Sequence, residues 1–223
     1  MTSLLEKIIK KSTLLVIKKE KTMKFIEPSY EIIDELDGSA IIKKIELCGR
    51  VCYKSEKRIT EDSAEKFVRT LIKSGHESVL EHASFSVRFI VSRAIANEIV
   101  RHRLASYSQE STRYCNYNGG IQVIIPKAVE NDESYKSFCR QSEIQYKEML
   151  NTGCRPETAR GVLPLDLKTE LIMTANLREW RHFFKMRAEK HAHPELRRVT
   201  VPLLKELSEK ILAVFSDIPY DEA

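Results

Sequence analysis

Two stretches in which mainly apolar side chains alternate with mainly polar ones constrain the fold of this chain more than any other feature of its sequence. The residues that occupy every second position are Phe85, Val87, Phe89 and Val91 in the first stretch, and Leu167, Thr169, Leu171, Met173 and Ala175 in the second. Successive side chains of a β-strand point to opposite faces, so a period of two buries one face. Both stretches are therefore predicted to be half-buried strands.

Shorter patterns predict the elements around these two strands. Residues 24–26 and 121–125 have the composition of short strands, and the Asn118-Gly119-Gly120 turn signal precedes the second. Helical spacing or a capping residue predicts helices over residues 41–47, 62–74, 92–100, 135–150, 155–160, 176–188 and 194–215. A proline at position 202 should kink the last of these helices.

The ends of several predicted helices have local signals. Asp62 with Glu65 has the spacing of a capping box, and Asn176 with Glu179 repeats it. The side chain of Ser92 should cap the helix that follows it. Two glycines, at positions 75 and 153, should end the helices before them.

Composition limits the class of protein. A chain of 223 residues with 42% hydrophobic content can form one domain with its own core. The net charge of +5, from 37 basic and 32 acidic residues, permits anionic small molecules without requiring nucleic acid. The five cysteines show no CxxC spacing and no secretory signal accompanies them, so a reducing cytoplasm is the expected location.

The first 22 residues differ from the rest of the chain. Their apolar runs are too short and too often interrupted by lysines to span a bilayer. We expect a loosely ordered N-terminal extension, with Met23 as a possible natural start, and a single domain over residues 23–223.

The segment from Arg101 to Arg113 is the clearest candidate for a binding site. It contains three arginines, one histidine and several hydroxyl and amide side chains, and only Leu104 and Ala105 are suited to burial. Guanidiniums with hydroxyls can surround a phosphate or carboxylate, so an anion-binding loop after a helix end is one interpretation. A solvated basic turn explains the same charges equally well.

Two other polar features have competing interpretations. His76 and His82, with the carboxylates between them, could belong to a zinc site, but no further ligand is evident, and groups that cap the entry loop of the strand explain them better. Arg187 lies on the same helical stripe as Trp180 and Phe183. Its charge should therefore meet a carboxylate or a ligand anion, unless the side chain reaches water.

Arg101-His102-Arg103, then seven residues, Ser111, one residue and Arg113, resembles the signature of the flavin-dependent thymidylate synthases. The resemblance covers about residues 23–215 through four patches, at residues 75–82, 101–114, 159–164 and 176–191. It implies an α+β fold with an antiparallel sheet flanked by long helices in a single domain. It also implies a homotetramer whose sites are shared between subunits.

The resemblance implies a reaction as well. Members of the family methylate dUMP reductively at C5 to give dTMP, with methylenetetrahydrofolate as the one-carbon donor, FAD as the hydride carrier and NADPH as the reductant. None of the five cysteines lies in a Pro-Cys-x-His context, which agrees with a route that needs no cysteine nucleophile.

Positions that match the family's motifs have implied roles. Arg187 would be catalytic, because it favours ionised N3 of the pyrimidine. The residues implied for dUMP are Glu98, Arg101, Gln109, Glu110, Ser111, Thr112, Arg113, Arg160 and Arg187. Those implied for FAD are Ser78, Arg101, His102, Arg103, Gln109, Asn176, Leu177, Arg178 and His182. Gln109 stands where some relatives have Glu, and His182 where some have Asn. Both keep the ability to form hydrogen bonds, but the charge at these positions can differ. No metal ligand is implied.

Three other functions fit parts of the sequence. An RNA-binding module could stack bases on Tyr107, Tyr114 and Tyr117 beside the basic segment. A related flavoenzyme could act on another pyrimidine nucleotide. A metal hydrolase would need ligands from the four histidines at positions 76, 82, 191 and 193, and is the weakest of the three.

Overall fold

The computed structural model describes residues 23–221. Its centre is a four-stranded antiparallel sheet with the strand order β2-β3-β6-β4. A separate parallel pair joins β1 to β5. The strands are β1 (Lys24–Phe25), β2 (Ser29–Ile32), β3 (Ser84–Ser92), β4 (Ala105–Gln109), β5 (Gln122–Val123) and β6 (Lys168–Asn176).

The two alternating stretches form the central strands β3 and β6, as predicted. Their pairing runs from Ser84 opposite Asn176 to Ser92 opposite Lys168. The residues at the alternate positions of both strands are buried, and those between them are partly open. One face of the sheet therefore contributes to the core, and the period of two in the sequence determines which side chains do so.

Helices surround the sheet, and the predicted α+β class is confirmed. They are α1 (Gly38–Val51), α2 (Ser63–Lys73), α3 (Arg93–Ile99), α4 (Glu133–Asn151), α5 (Pro156–Ala159), α6 (Leu177–Arg187), α7 (Pro194–Lys210) and α8 (Leu212–Phe215). Short 3-10 helices cover Glu56–Arg58, Glu77–His82, Lys127–Val129 and Arg160–Val162. Each of the seven predicted helical regions contains a helix.

Aromatic packing fixes helix α6 against the sheet. The Trp180 ring stacks on Phe85 of β3, with 4.9 Å between the ring centroids and 8° between the planes, and its Nε1–H donates to the Phe85 carbonyl over 3.2 Å. Phe183 and Phe184 are also fully buried in this core. Aromatic contacts of this kind add to the stabilisation from buried area, so the polar side chains on α6 have a rigid support.

A second anchor of α6 is ionic. The Arg181 guanidinium is 1% exposed and donates to both carboxylate oxygens of Asp217, over 2.6 and 2.8 Å. It also donates to Glu77 over 3.3 Å, and to the Val214 carbonyl. Because a buried charge is tolerated only when it is paired, this arginine connects α6 to the C-terminal turn and to the 3-10 helix at residues 77–82.

Three sequence predictions were wrong in detail. The segment after Arg101 is not simply a loop, because Ala105–Gln109 pairs with β6 as strand β4. The capping box at Asp62 does not form, since the Asp62 side chain makes no cap; instead Ser63 Oγ accepts from the Thr60 N–H and donates to Glu46. The predicted last helix is two helices, separated at Ile211, whose backbone is not helical (φ −134°, ψ 61°).

Other local predictions are confirmed. Ser92 Oγ accepts from the Ile95 N–H, and Asn176 Oδ1 accepts from the Glu179 N–H over 2.9 Å. Gly75 and Gly153 follow α2 and α4 with φ of +73° and +92°. The strand predicted over residues 121–125 is shorter than expected, since β5 has two residues.

The expected extension at residues 1–22 lies outside the described residues. Within residues 23–221, no helix combines the length and apolar character needed to cross a membrane.

Candidate active site

The residues singled out from the sequence form two groups, at different places along strand β4. The first group surrounds the segment that enters the strand. The second group lies at the other end of the strand and consists of Gln109, Glu110, Ser111, Thr112, Arg113 and, through its bond to Thr112, Arg160. β4 covers four residue steps of about 3.3 Å, or about 13 Å. Within the described residues, no hydrogen bond or ion pair joins the two groups, so one chain does not bring all the predicted residues together.

The first group lines a cleft of about 810 Å³, here called the arginine cleft. This volume is within the usual range for a small-molecule or cofactor site. Most of the lining residues come from the segment before β4 and from helix α6: Glu77, Glu81, Arg101, His102, Arg103, Leu104, Asn176, Arg178, Glu179, His182, Lys185, Met186 and Arg187.

The arginine cleft contains cations with different surroundings. Arg178 pairs with Glu81 over 2.7 Å, and Lys185 lies 3.4 Å from Glu77. Arg101 and Arg103 are exposed, and neither guanidinium forms a hydrogen bond or ion pair with another described residue. Two unpaired guanidiniums beside a cleft provide forked donors for an anionic group of a ligand.

Arg187 extends from the end of α6 into the same cleft. Its side chain is 18% exposed, and Nη1 lies 3.3 Å from Glu98 Oε2. Nε donates to His102 Nε2 over 3.1 Å, and Nη2 reaches only the Glu98 carbonyl, at 3.5 Å. The helical stripe therefore carries Arg187 to a carboxylate, one of the alternatives that the sequence left open. One of the two Nη2–H donors has no partner among the described residues.

His102 is buried between Arg187 and Glu179. It is 5% exposed, and its Nδ1 lies 3.1 Å from Glu179 Oε1. Burial lowers the pKa of His102 to about 4, and the charges of Arg187 and His182 act in the same direction. The imidazole is therefore neutral at physiological pH.

Glu179 and His182 complete this cluster. Glu179 is 5% exposed, and its burial raises the pKa of the carboxyl group, an effect that His182 opposes. The His182 ring meets the His102 ring edge-on, with 5.5 Å between the centroids. Sequence reasoning assigned Glu179 only to the helix cap. Its helical spacing from residues 182 and 183 was the one available signal that its side chain faces the same interior.

Among residues 23–221, only His102, Glu179 and His182 bring three possible metal-ligating atoms together, all within 4.8 Å of one another. Their chemistry suits a metal poorly. His102 Nε2 accepts from Arg187, so a metal on Nδ1 would leave the ring without a proton or displace the arginine. The four histidines considered for a hydrolase, at positions 76, 82, 191 and 193, form no such group within the described residues.

The second group has its own contacts. Glu110 pairs with Lys168 over 3.0 Å and accepts from the Tyr117 hydroxyl over 2.7 Å. Arg160 donates to the Thr112 hydroxyl over 3.1 Å, so the two predicted segments meet here. Gln109 Nε2 lies 3.4 Å from Thr169 Oγ1.

Arg113 and Arg160 are the exposed members of the second group, and Ser111 is partly exposed. The Arg113 guanidinium lies 3.7 Å from Glu157 and 5.5 Å from the centre of the Tyr114 ring, and both members of the ion pair are about half exposed. Ser111 Oγ accepts the Arg113 N–H. A hydroxyl and two arginines, one from each segment, therefore lie near each other on a partly open surface.

The remaining predicted residues lie beside the arginine cleft. Ser78 is exposed on the 3-10 helix Glu77–His82, and Asn176 lines the cleft while it caps α6. The Leu177 side chain is fully buried in the core and its N–H donates to the Ala83 carbonyl. The Leu177 side chain therefore does not face the cleft, whereas its neighbours Asn176 and Arg178 line it.

The three tyrosines considered as a base-stacking surface are not equivalent. Tyr107 is half-buried, and its hydroxyl donates to the carbonyls of Ile99 and His102. Tyr117 is also half-buried and bonded to Glu110. Only Tyr114 is widely exposed, so the three rings do not present one continuous stacking surface.

Comparisons of the sequence with known proteins give a consistent result. A family model described as "Thymidylate synthase complementing protein" matches residues 32–211. A flavin-dependent thymidylate synthase of Pyrococcus furiosus is 37% identical over 170 residues, which are 73% of this chain and 70% of that protein. Another, from Mycobacteroides abscessus, is 34% identical over 219 residues, 88% of this chain and 86% of the relative.

The fold has a similar solved structure. The crystal structure of a UMP/dUMP methylase, PolB, from Streptomyces cacaoi bound with 5-Br dUMP superposes with a TM-score of 0.75. The sequences are 20% identical, and the match covers 86% of this chain and 95% of the other. At that identity the likeness shows a shared fold.

Proposed function

The chain belongs to the flavin-dependent thymidylate synthase family, as its Arg101–Arg113 signature predicted, and on that premise we propose that it converts dUMP to dTMP by reductive methylation. It is a methyltransferase. The proposed one-carbon donor is methylenetetrahydrofolate, the cofactor FAD and the reductant NADPH. PolB, which shares the fold, is described as bound with 5-Br dUMP, and this supports dUMP as the nucleotide.

The residues of the arginine cleft suit FAD. Its pyrophosphate needs cationic donors, and Arg101 and Arg103 have guanidiniums that no described residue occupies. When bound, the flavin supplies the hydride for the transferred carbon. The proposed FAD contacts are Ser78, Arg101, His102, Arg103, Gln109, Asn176, Leu177, Arg178 and His182. Those in the cleft would hold and orient the cofactor next to Arg187.

Arg187 is proposed as the catalytic residue. As a permanent cation with one free Nη2 donor, it can stabilise the negative charge of ionised N3 and thereby make C5 of the pyrimidine more nucleophilic. The neutral imidazole of His102 holds Nε without adding a competing positive charge. Glu98, 3.3 Å from Nη1, is proposed to contact the nucleotide together with Arg101.

The second group is proposed to bind the phosphate of dUMP. Ser111, Arg113 and Arg160 offer a hydroxyl and two guanidiniums, and Gln109, Glu110 and Thr112 line the same surface. Within one chain, strand β4 separates this group from Arg187. We therefore propose that a site combines the two groups from different chains, in a homotetramer.

No cysteine takes part in the proposed reaction. None of the five cysteines lines the arginine cleft, and burial raises the pKa of the Cys139 thiol. A nucleophilic cysteine is normally partly exposed, with a lowered pKa. We also propose that residues 23–223 form the catalytic domain, with residues 1–22 as an extension, and that the enzyme acts in the cytoplasm. A chain that begins at Met23 should keep its turnover.

The observation that carries the proposal is the Arg187 guanidinium, held by Glu98 and His102 beside two unpaired arginines. The first test is the absorbance spectrum of the freshly purified protein, which should show oxidised flavin. Turnover should then require dUMP, methylenetetrahydrofolate and NADPH together, with dTMP as the product. A colourless protein that forms no dTMP after addition of FAD would disprove it.

A related activity is the closest rival. Because PolB is described as a UMP/dUMP methylase, the nucleotide could be another pyrimidine monophosphate. Parallel assays with dUMP, UMP and dCMP, each with and without the folate, separate the two activities. Product from UMP or dCMP at a higher kcat/KM than from dUMP would favour the rival.

A further inference from the structure

The geometry points to Glu179 as a positioning residue for the proposed reaction: through His102 it sets the orientation of the Arg187 guanidinium. The effect of Glu179 on turnover rests on the proposed function, whereas its effect on the His102 tautomer does not. Glu179 forms no hydrogen bond or ion pair with Arg187, and both are hydrogen-bonded to His102. The carboxylate would act by deciding which ring nitrogen of His102 carries the proton.

The hydrogen bonds determine that proton's position. A guanidinium can donate but cannot accept, so Nε2 of His102 must be the acceptor of the 3.1 Å bond from Arg187 Nε. In a neutral imidazole the proton must then be on Nδ1. Nδ1 faces Glu179 Oε1 at 3.1 Å, and the carboxylate is the acceptor that this proton needs.

No other described residue is hydrogen-bonded to His102 Nδ1. The Phe183 and His182 rings both meet the His102 ring edge-on, with 4.9 and 5.5 Å between the centroids. The Tyr107 hydroxyl donates to the His102 carbonyl and not to the ring. Without the carboxylate, a proton on Nδ1 would be buried without a partner, which is costly.

Loss of the acceptor should therefore reverse the tautomer. A proton on Nε2 would face the Nε–H of Arg187, and two donors cannot share one hydrogen bond. The arginine would move away from His102 and keep only its contacts with Glu98. A carboxylate that holds an imidazole in one tautomer has the same physical role in the Ser-His-Asp triad.

Glu179 is itself held rigidly. It lies in the first turn of α6, where its N–H donates to Asn176 Oδ1 over 2.9 Å. The next residue, Trp180, stacks on Phe85 in the core. A side chain that is 5% exposed on so well supported a helix end can define the orientation of its partners.

Two variants test the inference. In Glu179→Gln the amide oxygen can still accept from Nδ1, whereas Glu179→Met has a similar length and no comparable acceptor. Nitrogen-15 NMR of histidine-labelled protein should show the Nδ1–H tautomer of His102 in the wild type and in Glu179→Gln, and the Nε2–H tautomer in Glu179→Met. We expect kcat to fall about 10–100-fold in Glu179→Met and less than that in Glu179→Gln, with flavin content unchanged.

Glu46→Met is the matched control. Glu46 is also a buried glutamate, with partners Arg50 and Ser63 on helices α1 and α2, away from the cleft. Its replacement should lower stability but leave the His102 tautomer and kcat unchanged. A similar loss of kcat in Glu46→Met would mean that destabilisation alone explains the effect, and would overturn the inference.

Other outcomes are equally decisive. An Nε2–H tautomer in the wild type, or an Nδ1–H tautomer with full kcat in Glu179→Met, would overturn it. If Glu179→Met does not fold, Glu179→Leu replaces it, and its His102 tautomer and its kcat are compared with those of the wild type. A tautomer change as expected in a protein that makes no dTMP would support the positioning role and reject the proposed function, so the two failures are distinguishable.

Discussion

At the scale of single residues, the environment of His102 determines its charge. Burial between Arg187 and Phe183 lowers its pKa to about 4, whereas an unfolded chain protonates a histidine near pH 6.5. The unfolded state therefore binds more protons between these two pH values, and the native state loses stability as the pH falls through that window.

This gives a prediction for unfolding. Between pH 6.5 and pH 4 the free energy of unfolding should drop by up to about 3 kcal/mol through this residue alone. Urea titrations at several pH values measure the change. His102→Gln has no titrating group and should show a shallower slope in the same window. Equal slopes for the two proteins would contradict the assigned pKa.

Arg187 carries the prediction for catalysis. Arg187→Ala should keep the fold and the bound FAD and lower kcat by about 10²–10³-fold, because it removes charge stabilisation without disturbing Arg101 and Arg103. Steady-state assays and the flavin absorbance of the purified variant measure both effects. Arg140→Ala, at an exposed position on α4, is the control and should retain turnover. Near-normal kcat in Arg187→Ala would exclude its catalytic role.

At the scale of elements, the end of helix α2 depends on one glycine. Gly75 has φ of +73°, in the left-handed region, and a Cβ added there would meet nothing within 4 Å. The backbone conformation alone should therefore penalise a larger residue.

A matched pair of substitutions tests this conclusion. Gly75→Ala should reduce the free energy of unfolding by about 1–2 kcal/mol. Gly161 also has open space around its Cα but no positive φ, so Gly161→Ala should be neutral or slightly stabilising. Chemical denaturation of both variants gives the two values. Equal effects would show that backbone strain is not the cause.

Helix α6 connects the element scale to the site. Trp180 and Arg181 fix it to β3 and to the C-terminal turn, while Glu179 and Arg187 are directed into the arginine cleft. Adjacent positions of one helix thus serve the core and the cleft, because successive residues point about 100° apart around the helix axis.

At the scale of the whole molecule, the separation of the two groups along β4 allows a test of the proposed assembly. Arg187→Ala and Arg113→Ala should each be inactive. When equal amounts are co-expressed, a shared site can take an intact Arg187 from one chain and an intact Arg113 from another, so about one quarter of the sites should be complete.

Activity measurements on the mixed protein check this expectation. Turnover near a quarter of the wild-type value would support sites built from two chains. Protein in which every chain carries both substitutions is the inactive control. If the mixture stays inactive although both variants bind FAD and assemble, each site must use one chain only.

Local features of the sequence were enough for much of the fold. The alternation in Phe85–Val91 and Leu167–Ala175 predicted the central strands, and the caps at Ser92 and Asn176 form as their spacing indicated. These signals involve residues within a few positions of one another, so the sequence pattern alone is enough to predict the strands and the helix caps. The signature from Arg101 to Arg113 likewise identified the family.

Contacts between distant residues were decided only by the tertiary structure. Strand β4 forms because β6, more than 60 residues later, provides its hydrogen-bond partners. His102 meets Glu179 and Arg187 across separations of 77 and 85 residues, so no local spacing could show that one carboxylate controls an arginine through an imidazole. A sequence pattern records which face of an element is apolar, whereas packing in three dimensions determines which polar groups then share a buried site.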